Sequence, residues 1–164
     1  MAHIFNAETT DYEIKESPIP EFSWHTSAAL SDALGARQLD LFIRSLDPGK
    51  YSYPYHFHRN SEELFVILSG RARLRTPDGI CELKEGDIVF FEQGPKGAHQ
   101  LFNHADVPCR YLDLGAITNL DVCEYPDSGK VNILPQREIF RKKDTVDYCE
   151  GEENVADKWD MTKS

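Results

Sequence analysis

Between Leu39 and Leu114 the chain is a succession of short strand-like runs separated by turn residues, with no helical stretch among them. That spacing limits the fold more than any other feature. Leu39, Leu41 and Ile43 alternate with Asp40, Phe42 and Arg44, and Asp47-Pro48-Gly49 then turns the chain. Leu64 to Leu68 is apolar on both faces, and Ser69-Gly70 ends it. Ala72 to Thr76 alternates charged with apolar residues, and Pro77-Asp78-Gly79 is a hairpin signal leading into Ile80 to Lys84. Asp87 to Phe91, His99 to Phe102 and Cys109 to Leu114 complete the series. Short strands at this spacing predict an all-β sandwich or barrel.

The flanks read differently. Ser17-Pro18-Ile19-Pro20-Glu21 suits an extended arm, because prolines two apart oppose a helix. Ser27 to Gly35 predicts a short helix, with Ser27 as N-cap, Leu30 and Leu34 stacked at i, i+4, and Gly35 as the stop. After Gly115 the pattern loosens. Asp121 to Tyr125 suits one more strand, Tyr125 to Gly129 is a turn, and Arg137, Arg141, Lys142 and Lys143 read as solvated surface. Glu150, Glu152, Glu153, Asp157 and Asp160 make an acidic, loosely held tail. The expected division is an arm with a short helix over 1–36, a barrel core over 37–115, and an irregular extension over 116–164 that packs on the barrel.

Composition narrows the partners. A formal charge of −10 and a pI near 5.0 argue against a grip on phosphate backbones, so no nucleic-acid role is expected. No apolar run is long enough to span a bilayer, and Met1 to Lys15 does not read as a signal peptide. Cys81, Cys109, Cys123 and Cys149 lie scattered without a Cys-x-x-Cys pair, which predicts four reduced thiols and a cytoplasmic protein.

The chemistry is concentrated around His56-Phe57-His58. On an extended segment these two imidazoles share one face. Glu63 follows on the next strand, and His99 arrives after the Gly94-Pro95-Lys96-Gly97 loop. Glu62 faces the other way and is expected at the surface or behind the ligands. His104 reads as solvent-facing, and His3 and His25 are given no role. Three imidazoles and one carboxylate suit a divalent transition metal, since Ca and Mg prefer oxygen shells. A tetrahedral ion would be saturated by these four groups, whereas a six-coordinate ion keeps two positions for a chelating substrate.

These residues resemble the two signature motifs of the cupin superfamily. Gly49, His56, His58, Glu63 and Gly70 fit the first, and Gly86, Pro95, Gly97, His99 and Asn103 fit the second. The spacings that depart from the usual pattern, before His56 and between Gly86 and His99, fall in turns. The resemblance spans roughly Arg37 to Gly115 and implies a double-stranded β-helix, or jelly-roll barrel. It implies one divalent metal (Fe, Mn, Ni, Co or Zn) held inside by His56, His58, Glu63 and His99. Tyr125 to Lys130 and Tyr148 to Glu152 resemble segments of a bacterial single-domain cupin group of unassigned function, which brings no substrate with it. The implied activities are those of metal-dependent dioxygenases, decarboxylases or isomerases acting on a small molecule. The alternative is a non-catalytic ligand-binding or sensor cupin. A homodimer is expected, because one small barrel cannot bury both sides of strands such as Leu64 to Leu68 and Ile88 to Phe91.

Substrate contacts are less legible. Tyr51, Tyr53 and Tyr55 alternate ahead of His56 and, on a regular strand, lie opposite the histidines, as a packing stripe between sheets or subunits in preference to a binding platform. Arg44, Arg73 and Gln100 are polar groups within strands that could reach a pocket, although alternation places most of them at the surface.

Overall fold

The structure is a computed structural model and describes residues 2–153 and residue 159. Among the described residues there are thirteen strands: β1 (Glu13–Lys15), β2 (Trp24–Thr26), β3 (Leu39–Leu46), β4 (Phe57–His58), β5 (Glu63–Ser69), β6 (Arg71–Thr76) and β7 (Gly79–Lys84) come first. They are followed by β8 (Ile88–Phe91), β9 (Gln100–Phe102), β10 (Cys109–Ala116), β11 (Asp121–Tyr125), β12 (Lys130–Leu134) and β13 (Glu138–Arg141). A six-stranded sheet runs β1-β2-β3-β10-β5-β8, a four-stranded sheet β13-β12-β11-β4, and a three-stranded sheet β7-β6-β9. Every pairing between these strands is antiparallel.

Alternation decides which residues fill the interior. Phe65 and Ile67 on β5, Tyr111 on β10, Leu74 on β6 and Leu101 on β9 are at most 3% exposed and form one core with Leu46, Ala72, Leu83, Phe91 and Cys109. Two glycines hold the strand ends in place. A Cβ on Gly70 would stand 2.5 Å from the Pro108 carbonyl oxygen, with φ at +76° besides. At Gly97 the clash would be with the Glu92 carbonyl oxygen, at 1.9 Å. The Gly94-to-Gly97 turn is thereby pressed onto the barrel two residues before His99.

The opposite face of the large sheet is also apolar. Leu41, Leu114, Leu64 and Phe90 form one cross-strand row, and Ile43, Leu112, Val66 and Ile88 form the next. Helix α1 (Leu30–Leu34) packs at the β3 end, while Ile88 and Phe90 at the other end are 67% and 56% exposed.

Several expectations are corrected. The helix starts at Leu30 with Ala29 as N-cap. The Ser27 hydroxyl instead accepts a bond from Ile43 N–H and donates to Ala28 O, which ties it to β3 and removes it from capping. The arm contributes β1 and β2, and the extension beyond Gly115 contributes β12 and β13 in addition to β11. His104 is part-buried, with Nε2 2.8 Å from Glu82. The basic residues near 140 are exposed as expected, and Lys142 reaches Glu124 at 2.8 Å. Asp157 and Asp160 of the acidic tail lie outside the described residues. All four cysteines are free, with Cys109 and Cys123 buried. No helix among the described residues is long and apolar enough to cross a membrane.

Candidate metal centre

His56 and His99 face each other across an isolated bridge, where each backbone N–H donates to the other's carbonyl at 3.2 and 2.9 Å. The pairing sets their rings 4.7 Å apart. His56 therefore lies just outside β4, and the two histidines of the His-x-His pair are positioned by different neighbours. His58 is held by β11, where it stands opposite Cys123. Glu63 begins β5 opposite Gly115, whose lack of a side chain leaves room on that side.

Each imidazole is anchored through Nδ1. His56 Nδ1 donates to Pro54 O at 2.8 Å, His99 Nδ1 donates to Gly97 O at 2.9 Å, and His58 Nδ1 donates to the Asp121 carboxylate. That fixes the tautomer and leaves each Nε2 with its lone pair free, the form that coordinates metals. His99 Nε2 lies 3.1 Å from Glu63 Oε2, and His58 Nε2 lies 3.9 Å from the same oxygen. His99 Nε2 and Glu63 Oε2 are both buried, yet neither has an aligned hydrogen bond despite their closeness. Buried acceptors are rarely left so. Two lone pairs converging side by side fit a shared cation better than they fit each other.

His56, Glu63 and His99 have ligand atoms within 4.8 Å of one another. His58 is outside that triplet but joins His56 and Cys123 in a second one of the same dimension. The structure thus brings all four expected residues to one place, with His58 displaced toward β11. Glu62 is exposed, as expected.

The electrostatics follow from burial. His56 is pushed down to about 3 by desolvation and by the neighbouring His99, so its ring is neutral. His58 is also desolvated, but the bond to Asp121 and the nearby Glu63 outweigh this and raise it. Burial disfavours the Glu63 carboxylate, and the three imidazoles more than offset that and hold it below the ordinary range. Asp113 is pushed up to about 7, first by burial and then by Glu63, with Arg44 opposing. Partial burial likewise disfavours the Asp121 charge, yet the bonds from His58, Asn60 N–H and Val122 N–H hold its carboxyl down.

A cavity of about 390 Å³ opens in front of these groups. Its walls include Arg44, whose Nε donates to Asp113 at 2.6 Å and whose Nη1 donates to Thr26 at 2.7 Å. Sequence reasoning missed several of these residues. Tyr53 lines the cavity because residues 53–55 form a bend ahead of β4 and not a strand, so the tyrosines do not form one stripe. Tyr53 meets the His56 ring edge-on at 6.0 Å, Tyr51 stacks on Phe102, and Tyr55 packs under Arg75. Asp121, Cys123 and Tyr125 all reach the cavity from β11. Their period-two spacing was the available signal.

Residues 42–115 match the family model for the cupin domain. The fold and the motif residues together define this part of the chain as a cupin domain. A structure from Acidithiobacillus ferrooxidans, put forward as a sugar phosphate isomerase, is 26% identical with a TM-score of 0.76, over 85% of this chain and 90% of that one. A sugar phosphate isomerase from a cupin superfamily, from Silicibacter pomeroyi, shares the fold at a TM-score of 0.75 and 20% identity, over 90% of this chain and 98% of that one. An uncharacterized protein of Methanocaldococcus jannaschii is 32% identical over 71 residues, 43% of this chain and 48% of that protein. The chain therefore spans about half the length of that curated relative.

Proposed function

We propose that this chain is a cytoplasmic metal-dependent enzyme of isomerase type, acting on a small polyhydroxylated carbonyl compound. One divalent transition metal would be held by His56, His58, Glu63 and His99. The observation that carries the reading is the set of three imidazoles, each tied down through Nδ1, gathered around Glu63, whose buried, unbonded Oε2 lies 3.1 Å from His99 Nε2 and 3.9 Å from His58 Nε2. The likeness to the Acidithiobacillus protein supports the isomerase class. When bound, the metal supplies a Lewis acid that polarises a carbonyl and orients a neighbouring hydroxyl. Glu63 trims the charge of the centre and is not free to act as a base. Asp40, Glu63, Asp113 and Asp121 line the cavity against the single guanidinium of Arg44, an imbalance that a divalent cation reduces. The volume suits a molecule of sugar size.

The test is to load apo-protein separately with Fe(II), Mn(II), Ni(II) and Zn(II). Each form is then screened against pooled sugar phosphates, keto-enols and hydroxy acids, with and without oxygen. Oxygen-independent aldose–ketose interconversion, restricted to ions that accept six ligands, is the expected result. Ligand binding by every metal form with turnover by none would replace the enzyme with a binding module.

The working unit in this reading is a homodimer joined through the outer face of the large sheet. Two cross-strand rows of four apolar side chains, ending in exposed Ile88 and Phe90, support it. Light scattering at micromolar concentration should give twice the chain mass, and Ile88→Glu combined with Phe90→Glu should halve it. A wild-type monomer would refute this assembly.

A further inference from the structure

One coordinating side chain at the proposed centre has no use in that ligand set. Cys123 is 3% exposed, lines the cavity, and stands opposite His58 in the β11–β4 register. Directly opposed residues of an antiparallel pair project to the same face, so the thiol and the imidazole share one side. A ligand nitrogen of His56, one of His58 and Cys123 Sγ lie within 4.8 Å of one another. His56 has the same relation to Glu63 and His99. It therefore belongs to two overlapping triplets, one ending in a carboxylate and the other in a thiol. The buried, unbonded His99 Nε2 and Glu63 Oε2 are an independent sign that this corner is shaped around a cation.

We propose that the centre carries two donor sets that share His56, and that the softness of the ion selects between them. Mn(II) and Fe(II) use the imidazoles with Glu63, whereas thiophilic ions such as Cd(II), Zn(II) and Cu(I) recruit Cys123. The proposal rests on the metal-centre reading above. Hard–soft matching gives the direction, because thiolate favours polarisable ions and carboxylate favours hard ones. Recruitment breaks the S–H bond and forms a sulfur–metal bond. The proton passes to water, and no oxidation state changes. The thiol comes from β11, beyond the matched cupin residues, so the extension gives this domain a choice of metal that residues 42–115 alone do not contain.

The experiment uses the full chain as apo-protein in a Cys81→Ser/Cys149→Ser background, because those two thiols are exposed. Cd(II) and Mn(II) are titrated separately, following near-ultraviolet sulfur-to-metal charge transfer and competition affinity. The expected result is a charge-transfer band with Cd(II) that disappears in Cys123→Ser and Cys123→Ala. The ratio of Cd(II) to Mn(II) affinity should fall by about tenfold or more in both variants. Stoichiometric Cd(II) without the band in the Cys123-containing protein would overturn the proposal and leave the metal centre standing, with no variant needed to judge it. Retention of the band in both Cys123 variants would do the same. Failure of both ions to bind would remove the centre itself and this proposal with it.

Discussion

Alanine at His99 is expected to empty the centre, lowering apparent metal affinity by more than about a hundredfold, and His58→Ala should do likewise. His99 presents Nε2 to Glu63 at 3.1 Å and stacks on Phe91 at 3.7 Å, so the change removes both a donor and a packed ring. His99→Gln keeps more of the volume and separates the two losses. Elemental analysis should find near-stoichiometric metal in the wild type and little in the variants. Equal content in all of them would sink the assignment.

The pH dependence has a definite sign. Only neutral imidazole coordinates, so protons compete with metal wherever a ligand's pKa lies within reach. His56 does not compete near neutrality, since burial and His99 push it down to about 3. His58 does, because the bond to Asp121 raises it despite burial. Affinity should therefore be full above the raised His58 pKa and fall as pH drops through it, by about tenfold per unit for one proton. Asp121→Asn takes away the carboxylate that favours the imidazolium, so the acid limb should move to lower pH. The same change should weaken binding by about tenfold at high pH, where the ring loses its orienting partner and the cavity one negative charge.

Replacing Arg44 with methionine is expected to cost roughly 3–5 kcal/mol of stability, the range for stranding one partner of a buried ion pair. Arg44 and Asp113 side chains are 11% and 7% exposed and bonded at 2.6 Å, and Glu63 adds a second negative charge nearby. Asp113 already sits at about 7 with the guanidinium beside it, and without it the carboxyl is pushed higher. A carboxyl whose folded pKa exceeds its unfolded value contributes stability below the unfolded pKa and loses it as pH rises through the folded one. The Arg44→Met deficit should thus be smaller near about pH 5, where Asp113 is neutral, than near about pH 8. Urea midpoints at the two pH values measure this, and Arg44→Met/Asp113→Leu should recover much of the loss. A deficit under about 1 kcal/mol at both would show the pair to be dispensable.

The barrel strands and the four-residue constellation were legible because their signals are local. Period-two alternation and glycine turns mark β3 and β5 through β10, and the His-x-His spacing puts two rings on one side. Arg44 and Asp113 were not legible as a pair. A charged residue in an alternating strand looks the same whether it faces water or a cavity, and only the β3–β10 register tells. Tyr53 was misplaced because the bend over residues 53–55 ends the regular alternation that its assignment assumed. Asp121, Cys123 and Tyr125 carried a readable spacing, but what they face depends on pairing with β4, more than sixty residues earlier. Ser27 failed as a cap for a similar reason, since its hydroxyl is engaged by Ile43 on β3.

The β11–β4 pairing has a bearing on what holds the proposed centre in shape. β4 is two residues long, and its partner strand is β11. The segment up to Gly115 already has all the histidines and Glu63, and Gly94 N–H donates to the His58 carbonyl at 2.7 Å, yet the partner of the His58 ring is not in it. The Asp121 carboxylate that orients the ring lies 63 residues downstream. The pose of His58 in the proposed centre is thus decided by a strand outside the core around Phe65, Leu101 and Tyr111, and not by the strands that bear most of its donors.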